Sequence, residues 1–398
     1  MIKYFSVENF FSIYKEISFE LDISINKSLK SNSTIALFGS NASGKTTLLK
    51  AISFLFWFIK DSFFSLKPDE EIPIQTFANN DNNSKFYMEF VVNNNLYKYT
   101  LEINKKEVVY EKLEKNRFKY PIYERKGLKI LHLRDMKETS LKDLPKNVSI
   151  VSFLSRFETQ IYAKEIYEYK VISNVKFTGY DEEKKLHYKI VAKKIIDSNY
   201  KEKVLNILKI ADTEIMDFYF ETIELSEVEK EKIINQILKD NNLPEIIKNK
   251  IIDDITNNKK NEKLLFKHKL SNDSFLLTFE FESEGTKKLF YKIFEIIDII
   301  ENGGVYIIDE IDSHLHFLIV EYIINLFKDS KGQLICASHS PVIINNFDIY
   351  TLWFLEKKDG ITELFCACDF EGLKKDFNLE TLYKIGRFGA IPLKVNNG

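Results

Sequence analysis

The sequence predicts an α/β fold in which a sheet of buried, mostly parallel strands is interrupted by an insertion. Three short, almost entirely apolar runs predict the strands: TIALF at residues 34–38, VYII at 305–308 and QLICA at 333–337. Strands that are covered on both faces, as in parallel sheets, carry such unbroken apolar runs. Because the first run lies near the start of the chain and the others near its end, we expect both ends to contribute to one sheet.

Alternating apolar and polar residues predict further strands before residue 156. Two segments precede the first buried run, IKYFSVENF at residues 2–10 and KEISFELDI at 15–23. Three more, KFYMEFVV, LYKYTLEI and KEVVYEKLE, lie between residues 85 and 114 and are separated by turns that contain Asn. Period-two alternation bounded by such turns is typical of antiparallel strands. Residues 1–155 are therefore expected to form a first lobe with an antiparallel β subdomain.

The middle of the chain predicts a helical insertion at residues 156–261. Within it, EKEKIINQILK and EIIKNKIIDDI carry apolar residues at i, i+3 and i+4 and are separated by Asn-Asn-Leu-Pro. That spacing places the apolar residues on one helical face. After residue 261 the alternation returns in KLLFKHKL and FLLTFEFE, and a helix to about Ile300 follows. Residues 262–398 are expected to form a second lobe.

The overall composition predicts a soluble globular protein. Apolar residues make up 44% of the chain and charged residues 29%, with a net charge of −2. This balance leaves no global electrostatic attraction for nucleic acid, so any nucleic-acid site must be local. The most apolar run, Ala51–Ile59, is much shorter than the about 20 residues that cross a bilayer. The chain opens directly into a strand rather than a signal peptide, so we expect a cytoplasmic protein with no membrane partner.

A glycine-rich loop follows the first buried strand and begins a helix expected from about Lys45 to Phe64. The loop fits the pattern G-x-x-x-x-G-K-[ST], in which backbone N–H groups and the helix N-terminus surround nucleotide phosphates. Lys45 is expected to reach the β- and γ-phosphates, and the Thr46 hydroxyl to bind Mg²⁺. The predicted nucleotide-binding residues are Gly39, Ser40, Asn41, Ala42, Ser43, Gly44, Lys45, Thr46 and Thr47.

Two acidic residues follow the second buried run, at the edge of a parallel sheet where ligands bind. Asp309 fits the position that holds Mg²⁺, and Glu310 fits a general base that orients the attacking water. Acidic residues also cap helices, and Asp312 can serve the next helix in that way. A helix cap alone does not account for two adjacent acids at the end of so apolar a strand.

His339 follows the third buried run, in the sequence ASHSP. A single histidine is more often structural than catalytic. Here it ends a core strand shortly downstream of the acidic pair, where contact with the γ-phosphate is expected. We therefore predict that His339, together with Glu310, takes part in catalysis.

These motifs and their order resemble those of ABC-type ATPases of the SMC/RecF/OLD-like branch. The resemblance rests on FSVENFFSIYKEISFEL, GSNASGKTT, SEGTKKL, DEIDSHLH and ASHSP, and LYKIGRFGAIP looks like the tail of the RloA-like anti-phage ATPases. It covers both ends of the chain, and the middle matches only loosely. It implies a P-loop ABC-ATPase head, with a mixed sheet, an antiparallel β subdomain and a helical insertion, that binds ATP and Mg²⁺.

The resemblance also implies a second half of the nucleotide site, supplied by another copy of the chain. Glu282–Thr286 stands where the family carries its signature, usually a leucine, a serine, two glycines and a glutamine. Ser283 and Gly285 would then meet the γ-phosphate in trans, and Asp312 would lie in the loop that crosses the interface. Two chains would enclose two ATP molecules in a homodimer. A higher-order assembly of such dimers remains open.

One part that the family usually has is missing from the sequence. A glutamine that reaches Mg²⁺ is expected between the phosphate loop and the insertion. Only Gln75 and Gln160 are available there, and neither has a convincing context. The His314-x-His316 pair is interpreted as structural, because residues i and i+2 point apart on a helix.

The family resemblance implies regulation of a separately encoded effector in anti-phage defence, and analogy with OLD-type relatives indicates a nuclease. The short tail after His339 has no room for a nuclease domain. Two other functions remain open: a RecF-like clamp for DNA repair, and a scaffold gated by nucleotide with little turnover. The segment 105–134 bears on the clamp, because Lys and Arg outnumber Asp and Glu and aromatic residues such as Phe118, Tyr120 and Tyr123 are interleaved. Basic side chains with stacking rings suit nucleic acid, although solvated hairpins give the same pattern.

Overall fold

The computed structural model describes residues 1–21, 33–135, 141–175, 188–198, 200–223, 261–313, 315–373 and 377–390, with residues 231, 234, 235 and 238. The chain divides into two compact units. The first unit comprises Met1–Lys184 and Glu295–Gly398, and the second comprises Lys185–Phe294. Both ends of the chain therefore belong to one unit, as the buried apolar runs predict.

Sixteen strands are present among the described residues. They are β1 (Ile2–Glu8), β2 (Ile17–Glu20), β3 (Thr34–Phe38), β4 (Ser84–Val92), β5 (Asn95–Ile103), β6 (Val108–Lys115), β7 (Tyr123–Lys126), β8 (Lys129–Leu133), β9 (Val171–Ser173), β10 (Ile215–Ile223), β11 (Asn261–Leu270), β12 (Asp273–Thr278), β13 (Gly304–Ile308), β14 (Gly332–Ala337), β15 (Leu352–Lys358) and β16 (Ile361–Cys366).

The same described part of the chain contains eight α-helices. They are α1 (Lys45–Ser65), α2 (Ile150–Leu154), α3 (Ile161–Glu168), α4 (Tyr188–Ile196), α5 (Lys201–Ala211), α6 (Glu284–Asn302), α7 (Phe317–Lys328) and α8 (Leu379–Lys384). None of these helices is long and apolar enough to cross a membrane.

A six-stranded mixed sheet forms the centre of the first unit, in the order β16-β15-β3-β14-β13-β9. The strands from β15 to β9 are parallel, and β16 pairs antiparallel with β15 at the edge. Every residue of β3, β13 and β14 is buried, which explains their unbroken apolar sequences. Because these strands run in the same direction, the residues that follow them meet at one edge of the sheet.

Helix α1 lies in the main hydrophobic core of the first unit together with residues from both of its sheets. Phe54 and Phe56 contact Phe86 and Phe90 of β4, with ring centroids 5.4 and 6.0 Å apart. A helix that is apolar on nearly all sides is expected to be buried all round. The helix that begins at the phosphate loop is therefore held firmly in place by packing.

An antiparallel seven-stranded sheet, in the order β2-β1-β4-β5-β6-β7-β8, forms the other sheet of this unit. A fully buried ion pair joins two of its strands, with Arg125 Nη2 2.7 Å from Glu111 Oε2. Glu111 also accepts hydrogen bonds from Tyr99 and Ser149 at 2.7 Å, and the Ser149 N–H donates to Ser62 Oγ of α1 at 2.9 Å. The β subdomain is thus linked by buried polar contacts to α1.

The second unit contains α4, α5 and an antiparallel sheet in the order β10-β11-β12. Its core includes the rings of Phe218, Phe266, Phe279 and Phe290. The centroids of the rings that contact each other lie 5.4–5.8 Å apart. Helix α6 begins in this unit at Glu284 and ends in the first unit.

The predicted α/β class, with its mixed sheet and antiparallel β subdomain, is confirmed. The predicted division at residues 155 and 261 differs from the observed units, because the middle segment is not wholly helical. β9 joins the main sheet and β10 pairs with β11. A strand of three residues, such as β9, is too short to show a period-two pattern. The predicted helices at residues 229–239 and 245–255 lie outside the described residues, except for residues 231, 234, 235 and 238, which are helical.

Candidate functional site

The phosphate loop connects β3 to α1, and two of its glycines have backbone angles that other residues rarely adopt. Gly39 has a φ of 154° and Gly44 a φ of 113°. A Cβ at Gly39 would lie 2.4 Å from the Leu355 carbonyl oxygen, and one at Gly44 would lie 2.5 Å from Thr362 Oγ1. Both glycines are therefore required by backbone geometry as well as by packing against β15 and β16.

Lys45 is buried and its side chain folds back over the loop. Its Nζ donates hydrogen bonds to the carbonyl oxygens of Gly39 and Ser40 at 2.8 and 2.9 Å. Burial lowers the pKa of Lys45 to about 8, and the nearby carboxylates of Asp309 and Glu310 act in the opposite direction. The ammonium group thus lies among the loop's own carbonyls, positioned to meet an anion in front of the loop.

Thr46 and Asp309 come together although they are far apart in the sequence. Thr46 Oγ1 donates a hydrogen bond to Asp309 Oδ2 at 2.6 Å. Thr46 is exposed and begins α1, whereas Asp309 directly follows β13. A hydroxyl and a carboxylate side by side at the phosphate loop are oxygen donors of the kind that Mg²⁺ prefers. The two predicted metal ligands therefore fit a shared ion.

Asn174 is a member of this site that the sequence did not reveal. Its side-chain Oδ1 accepts from the Asp309 N–H at 2.8 Å, and its Nδ2 donates to the Asp309 carbonyl at 3.0 Å. It directly follows β9, the strand next to β13. The signal available in the sequence is a polar residue after the short apolar run KVIS, and β9 is too short to mark that run as a strand.

The two glutamines considered from the sequence have other structural roles. Gln160 is buried at the N-terminus of α3, where its Oε1 accepts from the Tyr123 hydroxyl at 3.3 Å. The backbone carbonyl of Gln75 accepts from the Phe11 N–H at 2.9 Å. Among the described residues, the side-chain amide that contacts Asp309 is that of Asn174.

Glu310 follows Asp309 and presents an exposed side chain. Its φ of 52° is unusual for a residue other than glycine. The Glu310 N–H donates to Asp309 Oδ1 at 3.1 Å, and its carbonyl accepts from Ser313 N–H at 2.9 Å. A strained backbone that is fixed on both sides places the two adjacent carboxylates in different environments.

His339 lies at the end of β14, the strand between β3 and β13. Burial, and secondarily the positive charge of Lys45, lowers the pKa of His339. The carboxylates of Asp309, Glu310 and Asp312 oppose this shift, which places the histidine in the same electrostatic environment as the acids. The lowered pKa of His339 favours the neutral form of the imidazole.

Two polar atoms at this site are buried without a hydrogen-bond partner, Ser43 Oγ in the phosphate loop and Asp312 Oδ1 beyond β13. Buried polar atoms are nearly always satisfied, so atoms of this kind often mark the place of a ligand. Asn41 and Ala42 at the tip of the loop are exposed, and Ala42 has a φ of 62°. The loop residues present therefore fit a phosphate group.

Thr47 follows Thr46 in α1 and contacts a residue from near the start of the chain. Its Oγ1 accepts from Ser12 Oγ at 3.2 Å, and Ser12 Oγ lies 3.0 Å from Thr362 Oγ1. Thr362 is also the residue that a side chain at Gly44 would strike. Ser12 and Thr362 were not singled out from the sequence, because their role depends on pairing between distant segments.

Ser283 and Gly285 belong to the second unit, at the start of α6. Ser283 Oγ accepts from the Thr286 N–H at 3.0 Å and lies 2.9 Å from the Thr286 hydroxyl, so Ser283 is the N-cap of the helix. Gly285 lies in the first turn, where a Cβ would meet only Ser283 Oγ at 3.6 Å. The Glu284 carboxylate is exposed and pairs with Lys287 at 3.0 Å. This turn offers N–H groups of a helix N-terminus to an anion from outside.

Of the histidine pair near Asp312, His316 is among the described residues. His316 caps α7, with Nδ1 accepting from the Leu318 N–H at 3.3 Å. His314 lies outside the described residues. In the described part of the chain, no group of three or more His, Cys, Asp or Glu side chains is arranged to hold a metal, and the oxygen pair of Thr46 and Asp309 is of a different kind.

Comparison with known proteins gives one family match. Residues 35–345 match the model of the family AAA_21, described as "AAA domain, putative AbiEii toxin, Type IV TA system". A search of curated proteins found no match to the sequence.

Several solved structures of SMC head domains are also similar. The SMC head domain from Thermotoga maritima is 12% identical, with a TM-score of 0.41 and coverage of 92% of this chain and 98% of that one. An SmcHead bound to the C-winged helix domain of ScpA is 12% identical, with a TM-score of 0.44 and coverage of 92% and 97%. A Smc head domain bound to the C-terminal domain of ScpA derived from Pyrococcus furiosus is 16% identical, with a TM-score of 0.41 and coverage of 97% and 98%.

Proposed function

The chain belongs to the AAA_21 family of ATPase domains, and from this premise we propose that it binds and slowly hydrolyses ATP in an ATP-bridged homodimer. The observation that carries the proposal is the 2.6 Å contact between Thr46 and Asp309 in front of the phosphate loop. It joins the residue after the loop lysine to the first acid after β13. A metal ion bound to a nucleotide phosphate would require the oxygen atoms of both Thr46 and Asp309 close to the loop.

In the proposed mechanism, Lys45 and the N–H groups of Gly39–Thr46 bind the phosphates. Thr46 and Asp309 would hold Mg²⁺, which neutralises phosphate charge when it is bound. Asn174 holds Asp309 through two backbone hydrogen bonds and is proposed as a positioning residue in the place where the family resemblance calls for a glutamine. Supporting residues of this kind commonly fix the orientation of metal ligands.

Glu310 is proposed to act as the general base. It accepts a proton from a water molecule while that water's oxygen forms a bond to the γ-phosphorus. The bond from the γ-phosphorus to the bridging oxygen breaks, and ADP keeps the electron pair. The neutral imidazole of His339 donates a hydrogen bond to the γ-phosphate. Removal of Glu310 alone should therefore slow hydrolysis while it leaves ATP binding in place.

Ser283–Thr286, here called the signature turn, is proposed to complete the nucleotide site of a second chain. Ser283 and Gly285 would contact the γ-phosphate bound by the partner's phosphate loop, and Asp312 would lie in the interface. The support is chemical: the first turn of α6 offers N–H groups and a hydroxyl, and Asp312 Oδ1 is buried without a hydrogen-bond partner. Two such contacts related by a two-fold axis would close the dimer.

The proposed biological role is control of a separately encoded effector in bacterial anti-phage defence in the cytoplasm. We propose that this effector is a nuclease. The family description refers to a toxin of a TA system, which agrees with an ATPase that works with a second component. ATP binding would close the dimer, and hydrolysis would reopen it and change its contact with the effector.

The test is the Glu310→Gln variant, which should form a stable dimer with ATP and Mg²⁺ and hydrolyse ATP at least about 100-fold more slowly. Light scattering after gel filtration measures the mass, and phosphate release measures turnover. Lys45→Ala is the matched control and should remain a monomer. Hydrolysis by Glu310→Gln at the parent rate would show that the base is wrongly assigned. A parent protein that dimerises with turnover near background would favour the nucleotide-gated scaffold.

The same pair of variants tests the effector. Affinity purification of Glu310→Gln from its native cell, with ATP and Mg²⁺, should recover a stoichiometric partner protein that is lost with Lys45→Ala. Nucleic acid recovered without a partner protein would instead favour the RecF-like clamp.

A second candidate function, nucleic-acid binding, has one specific observation in its favour. Tyr120 is 55% exposed and stacks on His132, with ring centroids 5.8 Å apart, and Lys119 Nζ lies 5.4 Å from the Tyr120 ring. Two members of the basic segment are not available, because Tyr123 and Arg125 are buried. The turn at residues 116–121 places Arg117 and Lys119 beside Tyr120, and Lys105, Lys106, Lys126 and Lys129 are exposed as well.

This second function is tested by reversing the charge of exposed residues. Arg117→Glu combined with Lys119→Glu should weaken binding of a single-stranded oligonucleotide and reduce its salt dependence. Lys85→Glu, which breaks an exposed ion pair with Glu8 on the same sheet, is the control. Unchanged binding after both substitutions would exclude this surface.

A further inference from the structure

A buried polar pair lies directly beside the signature turn in the second unit. His268 Nε2 lies 2.6 Å from Glu282 Oε1, and the two side chains are only 7% and 3% exposed. A carboxylate has no proton to give, so the imidazole donates this hydrogen bond. The His268 ring also stacks on Phe275 of the next strand, with centroids 5.2 Å apart.

Such a pair contributes little net stability but strongly restricts geometry. Removing two polar groups from water costs free energy that their mutual attraction only partly offsets, so two apolar residues of similar size often stabilise as well or better. Removing one partner alone leaves the other buried and unsatisfied. The pair is therefore best explained by the position that it imposes on Glu282.

The position of Glu282 determines how the chain enters α6. β12 ends at Thr278, a single 3₁₀ turn covers Phe279–Phe281, and Glu282 then precedes the N-cap Ser283. The Glu282 N–H donates to the Phe279 carbonyl at 3.2 Å. Its backbone is thus fixed by the turn, and its side chain is fixed to β11 by His268. Ser283 cannot shift without straining one of these contacts.

The neighbouring residues contrast with this anchor. Phe281 is 78% exposed although it is aromatic, and Glu284 is exposed on the other side of Ser283. Within Phe281–Glu284, the side chain of Glu282 is the one held in the interior. The resemblance to ABC-type ATPases places a leucine here, which packs without a directional contact.

We propose that His268 and Glu282 are positioning residues that hold Ser283 and the first turn of α6 in the orientation that contacts ATP on the partner chain. This inference rests on the proposed function, because it assigns the trans contact to that turn. Neither residue touches the nucleotide. Breaking the pair should weaken ATP-dependent dimerisation and leave ATP binding to the monomer unchanged.

The first experiment measures dimerisation in the Glu310→Gln background. His268→Leu should raise the protein concentration at which half of the chains dimerise with ATP by at least tenfold. His268→Gln keeps a donor for Glu282 and should recover most of this loss. The double variant His268→Leu with Glu282→Leu removes both polar groups and should dimerise better than His268→Leu alone. ATP binding to dilute monomers should change less than twofold in every variant.

A control variant separates positioning from general damage to the unit. Lys193→Leu breaks the ion pair between α4 and Glu262 of β11, in the same unit, and should leave dimerisation within twofold of the parent. Thermal unfolding of each variant shows whether the unit is folded at the assay temperature. Loss of dimerisation by Lys193→Leu to the same extent as by His268→Leu would overturn the positioning role.

Mixed pairs locate the effect on the correct chain. One chain carries Lys45→Ala and cannot bind ATP. The single working site is then formed by the phosphate loop of the other chain and the signature turn of the Lys45→Ala chain. His268→Leu on that chain should reduce hydrolysis at the working site, whereas His268→Leu on the ATP-binding chain should not. Equal loss on both chains would overturn the inference.

Ser283→Ala distinguishes failure of this inference from failure of the proposed function. If Ser283→Ala weakens dimerisation and His268→Leu does not, the positioning role is wrong and the trans contact stands. If Ser283→Ala leaves dimerisation unchanged, the trans contact is overturned, and the inference with it.

Discussion

The phosphate-binding edge of the first unit and the signature turn of the second unit differ in how much of their chemistry one chain contains. At the edge, Lys45, Thr46, Asp309 and Asn174 already contact each other or the loop. At the turn, the hydrogen bonds of Ser283 and the preceding Glu282 stay within the second unit, with α6, β11 and the 3₁₀ turn at Phe279–Phe281. The first region thus brings distant segments together in front of the phosphate loop, whereas under the proposed function the second region completes a site only with another chain.

Two variants, Lys45→Ala and Ser283→Ala, should separate the roles of the two regions most clearly. Lys45→Ala should weaken ATP binding to the monomer at least about 100-fold, because it removes the cation held among the loop carbonyls. Ser283→Ala should leave monomer binding within twofold and weaken only the dimer. Fluorescence titration with a labelled ATP analogue at low protein concentration measures both. A large loss of monomer binding by Ser283→Ala would show that the turn acts in cis.

A second prediction concerns the way in which Asn174 positions Asp309 in the first region. Asn174→Ala should weaken Mg²⁺-dependent ATP binding about tenfold, the lower part of the range for residues that orient a metal ligand. ATP binding without Mg²⁺ should change much less, since the Asn174 side chain hydrogen-bonds to the backbone of Asp309. Titration with and without Mg²⁺ measures the difference. Asn95→Ala, on the distant β sheet, is a matched control, and an equal loss in both variants would contradict the role of Asn174.

The two regions also differ in how readily they follow from the sequence. The phosphate loop and Asp309 were found because unbroken apolar strands mark where parallel strands end, and ligands gather there. Asn174 was missed because β9 is three residues long, so no periodicity marks it. Ser12 and Thr362 were missed because their contact joins residues 350 positions apart. Contacts between distant segments are set by packing, which local sequence patterns do not record.

The basic segment 105–134 shows the opposite error, since its sequence suggested more exposed charge than the fold leaves. Arg125 is fully buried beside Glu111, and Lys115 and Arg134 lie against the Phe118 ring. Alternation along a strand places every second residue inside, so a count of charges cannot show which of them are available. The exposed basic residues that remain are Lys105, Lys106, Arg117, Lys119, Lys126 and Lys129, and among the three aromatic residues singled out from the sequence Tyr120 is the exposed one.

A further expected effect is a pH dependence that only the first region should show. Burial sets the pKa of Lys45 at about 8 in the free protein, and bound phosphate raises it, because the anion favours the ammonium form. Below pH 8 the lysine is protonated in both states and affinity is flat. Above pH 8, binding must take up a proton, so the Kd should rise by up to about tenfold per pH unit.

Between pH 7.5 and 9.5, a free-state pKa of about 8 therefore predicts a roughly 25-fold loss of affinity in the monomer. Calorimetry in buffers of different ionisation enthalpy should detect the proton uptake. Lys45→Arg is the matched control, because arginine stays protonated throughout this range, and its Kd should be flat with pH even if it binds more weakly. A parent Kd that does not change above pH 8 would mean that Lys45 keeps its proton in the free protein. The buried ammonium would then be stabilised mainly by Asp309 and Glu310, and the edge would be organised by its own charges before any phosphate arrives.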